Sequence, residues 1–253
     1  MSRGLKFFSF GLFAGLSLIP WTGFAEGLPS VSVSLGGASE PEQISTTLQI
    51  LLMVTILTIA PAILITMTSF TRFVIVFSLL RQAMGVTNVP PNQILIGLAL
   101  FMSMAVMAPT IKEINENALQ PYIKNQLRQE DALEAAMKPL RSFMFKHTRE
   151  KDLALFIGIS GDERPSSLED ISTANLIPSF IISELKTAFQ IGFMIYIPFL
   201  VIDIVVASIL LAMGMLVLPP VIISLPFKLM LFVLVDGWNL ITSSLVRSFG
   251  VII

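Results

Sequence analysis

The side chains able to do acid–base or ligand chemistry are few in this 253-residue chain: 16 Lys or Arg, 17 Asp or Glu, one His and no Cys. Without thiols, a disulfide framework, a thiolate zinc site and a redox pair are excluded, and the lone His147 makes no histidine-based metal site by itself. Two acids, Asp203 and Asp236, stand in strongly apolar surroundings with Lys228 between them in sequence. A pair of carboxylates sharing one proton is the apparatus of an intramembrane aspartyl protease. The residues around Asp236, Val235-Asp236-Gly237-Trp238, lack the Gly-x-Gly-Asp arrangement of those enzymes. The same three charges could instead relay protons in a solute carrier, but apolar segments without internal repetition make a poor carrier. No phosphate-binding loop or dinucleotide fingerprint occurs, and a net charge of -1 offers no basic field for nucleic acid. The expectation is a protein without catalytic residues, metal or cofactor.

The elements that hold these charges are apolar. Mean hydropathy is +0.82, with 54% hydrophobic and 13% charged residues, about half the charge of an ordinary soluble domain. Of the charged residues, 22 fall between Lys112 and Lys186. That distribution describes a membrane protein with one water-facing segment.

Residues 1–25 read as a signal peptide. Arg3 and Lys6 precede the apolar run Phe7 to Ile19, and Gly23-Phe24-Ala25 sets small residues before a cut between Ala25 and Glu26. An uncleaved helix is the alternative, although Pro20 and Gly23 end the run short of a full span. Residues 26–43 form a polar lead. A first helical hairpin region covers 44–109, beginning with an uncharged run from Ile44 to Phe70 that Pro61 kinks. Arg72 and Arg81 follow without an acid, marking the cytoplasmic side. The second apolar run, Gln93 to Pro109, is short and might be completed by Phe73 to Leu80. Residues 110–185 are a polar insert in which Leu133, Met137, Leu140 and Met144 recur at helical spacing. His147, among Lys146, Arg149 and Lys151, reads there as a solvated surface position. A second hairpin region, 186–253, holds apolar runs from Thr187 to Ala212 and from Pro219 to Val246. Hydropathy alone thus gives four crossings, with both termini and the insert outside.

Helical steps place Asp203 on one face with Ala207 and Gly214, and set Lys228, Phe232, Asp236, Asn239, Ser243 and Arg247 in a polar stripe. A lipid-facing stripe of that kind is too costly, so Asp203, Asp236 and Asn239 are expected in buried polar packing or along a water-filled path. Between the last two runs lies Met213-Gly214-Met215-Leu216-Val217-Leu218-Pro219-Pro220, an apolar loop with two adaptable thioethers. It reads as core filling or as a closure.

Long ordered stretches carry a family resemblance. PSFIISELKTAFQIGF (Pro178 to Phe193), PFLVIDIVVASIL (Pro198 to Leu210), LPFKLMLFVLVDGW (Leu225 to Trp238) and TSFTRFVIVFSLLRQAMG (Thr68 to Gly85) resemble the FliP family of flagellar biosynthetic proteins. The resemblance implies an all-α fold of membrane-type helical hairpins with an amphipathic insert, assembled as a five-subunit ring around a central channel. It implies FliQ, FliR, FlhA and FlhB as partners, unfolded export substrates as cargo, and a place in the bacterial inner membrane at the flagellar basal body, in contact with lipid. An injectisome-type subunit is similar, but usually lacks a cleaved leader. The family's pore-constricting loop corresponds to Met213, Gly214, Met215, Leu216 and Val217, with the usual run of consecutive Met reduced here. Glu184 and Lys228 match family signature positions, and their opposite charges at the edges of adjoining apolar runs predict a pair across the subunit boundary.

Overall fold

Helix boundaries follow from local chemistry. Pro91 precedes a helix, where its missing N–H costs nothing; Ser172 caps another, its hydroxyl accepting from the Asn175 N–H at 3.3 Å; Gly161, at φ 71°, ends a third. The computed structural model describes residues 51–251 apart from positions 52, 56, 60, 64, 87, 162–164, 166 and 216. The Ala25–Glu26 cleavage site and the polar lead lie outside the described residues, as does Leu216 of the loop.

The elements below belong to the unit Thr55–Ile253. Helix α1 spans Phe70–Ala83 and α2 Asn92–Ile114, which runs through a π-helical turn, Asn115–Leu119, into α3, Gln120–Ile123. Then come α4 (Gln129–His147), α5 (Glu150–Ser160), α6 (Thr173–Ala212), α7 (Pro220–Leu234) and α8 (Gly237–Arg247). The fold is all-α, and no strand occurs among the described residues.

Two helices are long and apolar enough to cross a membrane, Asn92–Ile123 and Thr173–Ala212. A third crossing is counted only if α7 and α8, bent by 63°, are taken together. Three of the four expected crossings fall on these elements, the last only as the bent pair, and the first, Ile44 to Phe70, begins outside the described residues. The short run Gln93 to Pro109 is not completed by Phe73 to Leu80, which forms the separate helix α1; it continues past Pro109 to Ile123. Proline removes one N–H and a flanking helix can carry the defect, so α2 passes Pro109 and α6 passes Pro178 and Pro198 unbroken.

The core forms on one face of α1. Phe73, Val76, Phe77, Leu80 and Ala83 follow helical spacing and are buried against Leu95 and Ala99 of α2, Ala188 and Phe199 of α6, and Leu245 and Phe249 at the C-terminal end. A second cluster of Met67, Met144, Leu176 and Phe180 roots the insert on α6, with Met137 packed against it. Leu133, one turn before Met137, is exposed, so only the C-terminal part of α4 faces this core.

Gly192 lets α1 and α6 approach: a Cβ there would sit 2.3 Å from a Leu79 methyl carbon. Gly192→Ala should lower stability by about 1–3 kcal/mol through overpacking. Gly97→Ala, which meets nothing within 4 Å, should raise it by roughly 0.5–1 kcal/mol through helix propensity. Denaturation of both variants in detergent checks the opposite signs; equal effects would contradict the close approach.

Candidate functional site

Charged groups inside an apolar helical body are held by each other. Arg72 on α1 meets Glu184 on α6 in a two-pronged contact: Nε donates to Oε2 at 2.8 Å and Nη2 donates to Oε1. Both side chains are almost fully buried, at 4% and 0% exposure. The third guanidinium nitrogen, Nη1, donates to the Ser248 hydroxyl at 2.8 Å and to its carbonyl at 3.3 Å, and the Phe249 ring lies 3.7 Å from the guanidinium carbon. Every donor face of Arg72 is thus used, and the C-terminal turn is tied to α1 and α6 together.

The second pair joins α6 to α7. Lys228 donates to Asp203 Oδ2 at 2.6 Å and to the Ala83 carbonyl at 3.3 Å, while the Ser224 hydroxyl donates to Asp203 Oδ1. The expected Glu184–Lys228 pairing is replaced by two pairs within the chain. A carboxylate with no exposed surface and both oxygens bound to Arg72 has nothing left to offer a neighbour. Asp203 lies in polar packing between Ser224 and Lys228.

Asp236 and Asn239 do not; both are exposed. The predicted stripe from Lys228 to Arg247 assumes one continuous helix, whereas Asp236 adopts φ 49°, the left-handed region, and breaks it. Asp tolerates that conformation better than most residues, and Gly237 next to it accepts the close Phe232 ring. The stripe is cut in two, with Lys228 turned inward and Asp236 outward. Arg72, read as a marker of the cytoplasmic side, is engaged internally through Glu184 and Ser248.

The loop between α6 and α7 behaves differently from the core. Gly214 takes φ 75°, and its N–H and that of Met215 close the end of α6 on Leu211 and Leu210. Met213 is 65% exposed and Val217 93%, while Met215 is half-buried. Apolar side chains thus stand out from a helix–Gly–Pro junction and touch little of their own chain, which leaves the alternative of ordinary core filling unsupported.

At the base of the insert, Asp152 accepts from the Ser183 hydroxyl at 2.6 Å and from Arg149. Burial pushes the Asp152 carboxyl up, but the Ser183 and Arg149 hydrogen bonds outweigh it and hold the carboxyl below its ordinary range. His147 is not a solvated surface residue: its ring lies 4.7 Å from Phe143 and 5.1 Å from Phe249. Burial first, then the charges of Arg72 and Lys146, lower its pKa to about 4. No group of three or more His, Asp or Glu suited to a metal occurs among the described residues.

Arg72, Ser224, Ser183, Asp152 and Phe249 were not singled out from sequence as site residues. Arg72 had a usable signal, since it shares the helical face of Val76, Leu80 and Ala83; the others find their partners only through tertiary packing.

A fold that is helical throughout its described elements, with membrane-length apolar helices and inwardly paired charges, is of the membrane-protein type. Residues 53–245 match the FliP family, and the chain belongs to that family. It is 55% identical over 217 residues to the flagellar biosynthetic protein FliP of Bacillus subtilis (strain 168), covering 86% of this chain and 98% of that protein. The FliP of Pectobacterium carotovorum subsp. carotovorum is 52% identical over 201 residues, covering 79% and 78%. The FliP of Aquifex aeolicus (strain VF5) is 47% identical over 224 residues, covering 88% and 92%.

Removing one member of the Arg72–Glu184 pair strands the other charge in the core. Glu184→Gln or Arg72→Met should each cost about 3–5 kcal/mol, and Arg72→Met with Glu184→Met should recover most of it. Denaturation in detergent reads this; a double variant as unstable as the singles would show that the pair is not the coupled unit. For His147, the unfolded chain protonates near pH 6.5 and the folded chain only near 4. The unfolded state therefore binds more protons in that window, and stability falls as pH drops from about 6.5 through 4. His147→Gln should flatten that slope in a pH series of melting temperatures.

Proposed function

We propose that this chain is the pore-forming subunit of the flagellar type III protein export gate, passing unfolded flagellar proteins across the bacterial inner membrane. Five copies would form a ring with FliQ and FliR, and work with FlhA and FlhB at the basal body. The observation that carries the reading is the mismatch between composition and burial in α6. Its most apolar 18-residue stretch is only 17% buried within the chain, although Glu184 and Asp203 on the same helix are paired within the chain. A helix whose acids are paired inward and whose apolar surface is bare is made to be covered from outside, by other subunits and by lipid. The names of the relatives, all flagellar biosynthetic proteins, supply the system in which such an assembly works. The role is structural and transport-related rather than catalytic.

In a ring, symmetry brings each copy of a loop onto one axis. Met213, Met215 and Val217 would then form an apolar neck, which disfavours a continuous column of water and so blocks ions while the channel is empty. The left-handed Gly214 is the point at which the loop can yield to a threading chain. Leu216 belongs to the same gasket by sequence.

Mild detergent extraction followed by mass measurement should give a ring of several copies; a monomer retaining its native fold would sink the proposal. Replacing Met213, Met215 and Val217 together by Gly should raise ion leakage across the inner membrane severalfold without changing the assembly. An unaltered leak in an intact complex would take the gasket away from this loop.

A further inference from the structure

A groove of about 660 Å³ runs between α6, α7 and α8. Its walls include Met194 and Pro198 of α6, Leu231 and Val235 at the bend, and Leu240 of α8, and its polar contribution comes from Ser244 and Ser248 at one end. The floor is fixed, because Phe232 packs against Gly237 and Phe199. Ser248 accepts from Arg72, which grips Glu184. This sets the hydroxyl end of the groove at the level of residue 184, where the apolar run of α6 meets the charged insert. The opposite end lies among purely apolar side chains near Pro198 and Val235.

The groove therefore has the polarity of a lipid: apolar along its length and hydroxylated at the boundary where headgroups sit. Beside the paired Glu184, two exposed cations stand near that boundary. Arg247, one turn beyond Ser244 on the same side of α8, is exposed and has no ion pair among the described residues. Lys146 reaches the same turn, its Nζ beside Gly250, and is likewise exposed with no ion pair among the described residues. Asp236, the acid nearest in sequence to Arg247, stands at the far end of α8, about 16 Å away along the helix.

We propose that this groove binds one acyl chain of an anionic membrane phospholipid, with the headgroup phosphate held by Arg247, Lys146 and the Ser244 hydroxyl. The site is separate from the loop at Met213–Val217 and does not depend on the number of copies in the assembly.

The test is native mass spectrometry of the full complex in mild detergent, delipidated and then offered phosphatidylglycerol or phosphatidylcholine with identical acyl chains. Phosphatidylglycerol should be retained in preference. Arg247→Gln should reduce that preference about fivefold, the contribution of one surface cation near an anionic headgroup, and Arg247→Gln with Lys146→Gln should abolish it. Ser244→Trp, at an exposed position, should fill the groove and remove both lipids. The same spectra report the subunit number, so a failed assembly is recognised apart from a failed site. An unchanged lipid ratio in Arg247→Gln, or undiminished lipid in Ser244→Trp, overturns the proposal. So does a disulfide formed between Ser244→Cys of one copy and Met194→Cys of another in a lipid-free complex, because a neighbour would then fill the groove.

Discussion

Everything in this chain depends on how two buried ion pairs are neutralised. An isolated charge in an apolar interior is prohibitive, and a pair is tolerated only when geometry and further hydrogen bonds satisfy it. Arg72 meets that demand with a two-pronged grip on Glu184 and a further bond to Ser248. Lys228 meets it with Asp203 and the Ala83 carbonyl. The consequence reaches beyond the charges. The first pair fixes α1, α6 and the C-terminal turn to one another, and the second fixes α6 to α7 and to the end of α1. Few other polar contacts cross these helices, so the two pairs set the register in which the aromatic core of Phe73, Phe77, Phe232 and Phe249 closes.

What was legible in the sequence divides along the line between local and tertiary information. Hydropathy and spacing are local, and they give the apolar runs, the polar insert and the apolar loop before the double proline, while the all-α class comes with the family resemblance. The amphipathic pattern of α4 is visible in the same way, although only Met137 and Met144 face the core. Which charge pairs with which is not local: Arg72 and Glu184 are 112 positions apart, and opposite sign at matching hydropathy edges could not choose between Glu184–Lys228 and the pairs that form. Helix continuity failed in two opposite ways. Pro109 suggested an end where the helix continues, because a single missing N–H is tolerable. Val235-Asp236 suggested continuity where the helix breaks, because a left-handed Asp leaves no hydropathy signature.

The insert joins the membrane-type helices through chemistry of another kind. His147, Phe143 and Phe249 form a small aromatic cluster against which Arg72 stacks, so the base of the insert and the buried pair share atoms. Ser183 links the insert to α6 directly, accepting from the Arg149 N–H and donating to Asp152. Rigidity at this junction contrasts with the loop at the other end of α6, where Met213 and Val217 make few contacts. A helix anchored at its start and bare at its end suits a part that must be held firmly at one level and yield at another.

The length of α6 has a geometric consequence. Forty residues at 1.5 Å each make a rod of about 60 Å, roughly twice the hydrocarbon thickness of a bilayer. No upright placement hides all of it in lipid, but its bare apolar flank takes up only about half of that length, roughly 30 Å, the thickness of the hydrocarbon itself. The flank continues outward from Phe189 through Ile209 without a charge on its exposed side. The first part of the rod is covered by the chain's own insert through Leu176 and Phe180, so one unbroken helix carries the chain from a polar environment into an apolar one.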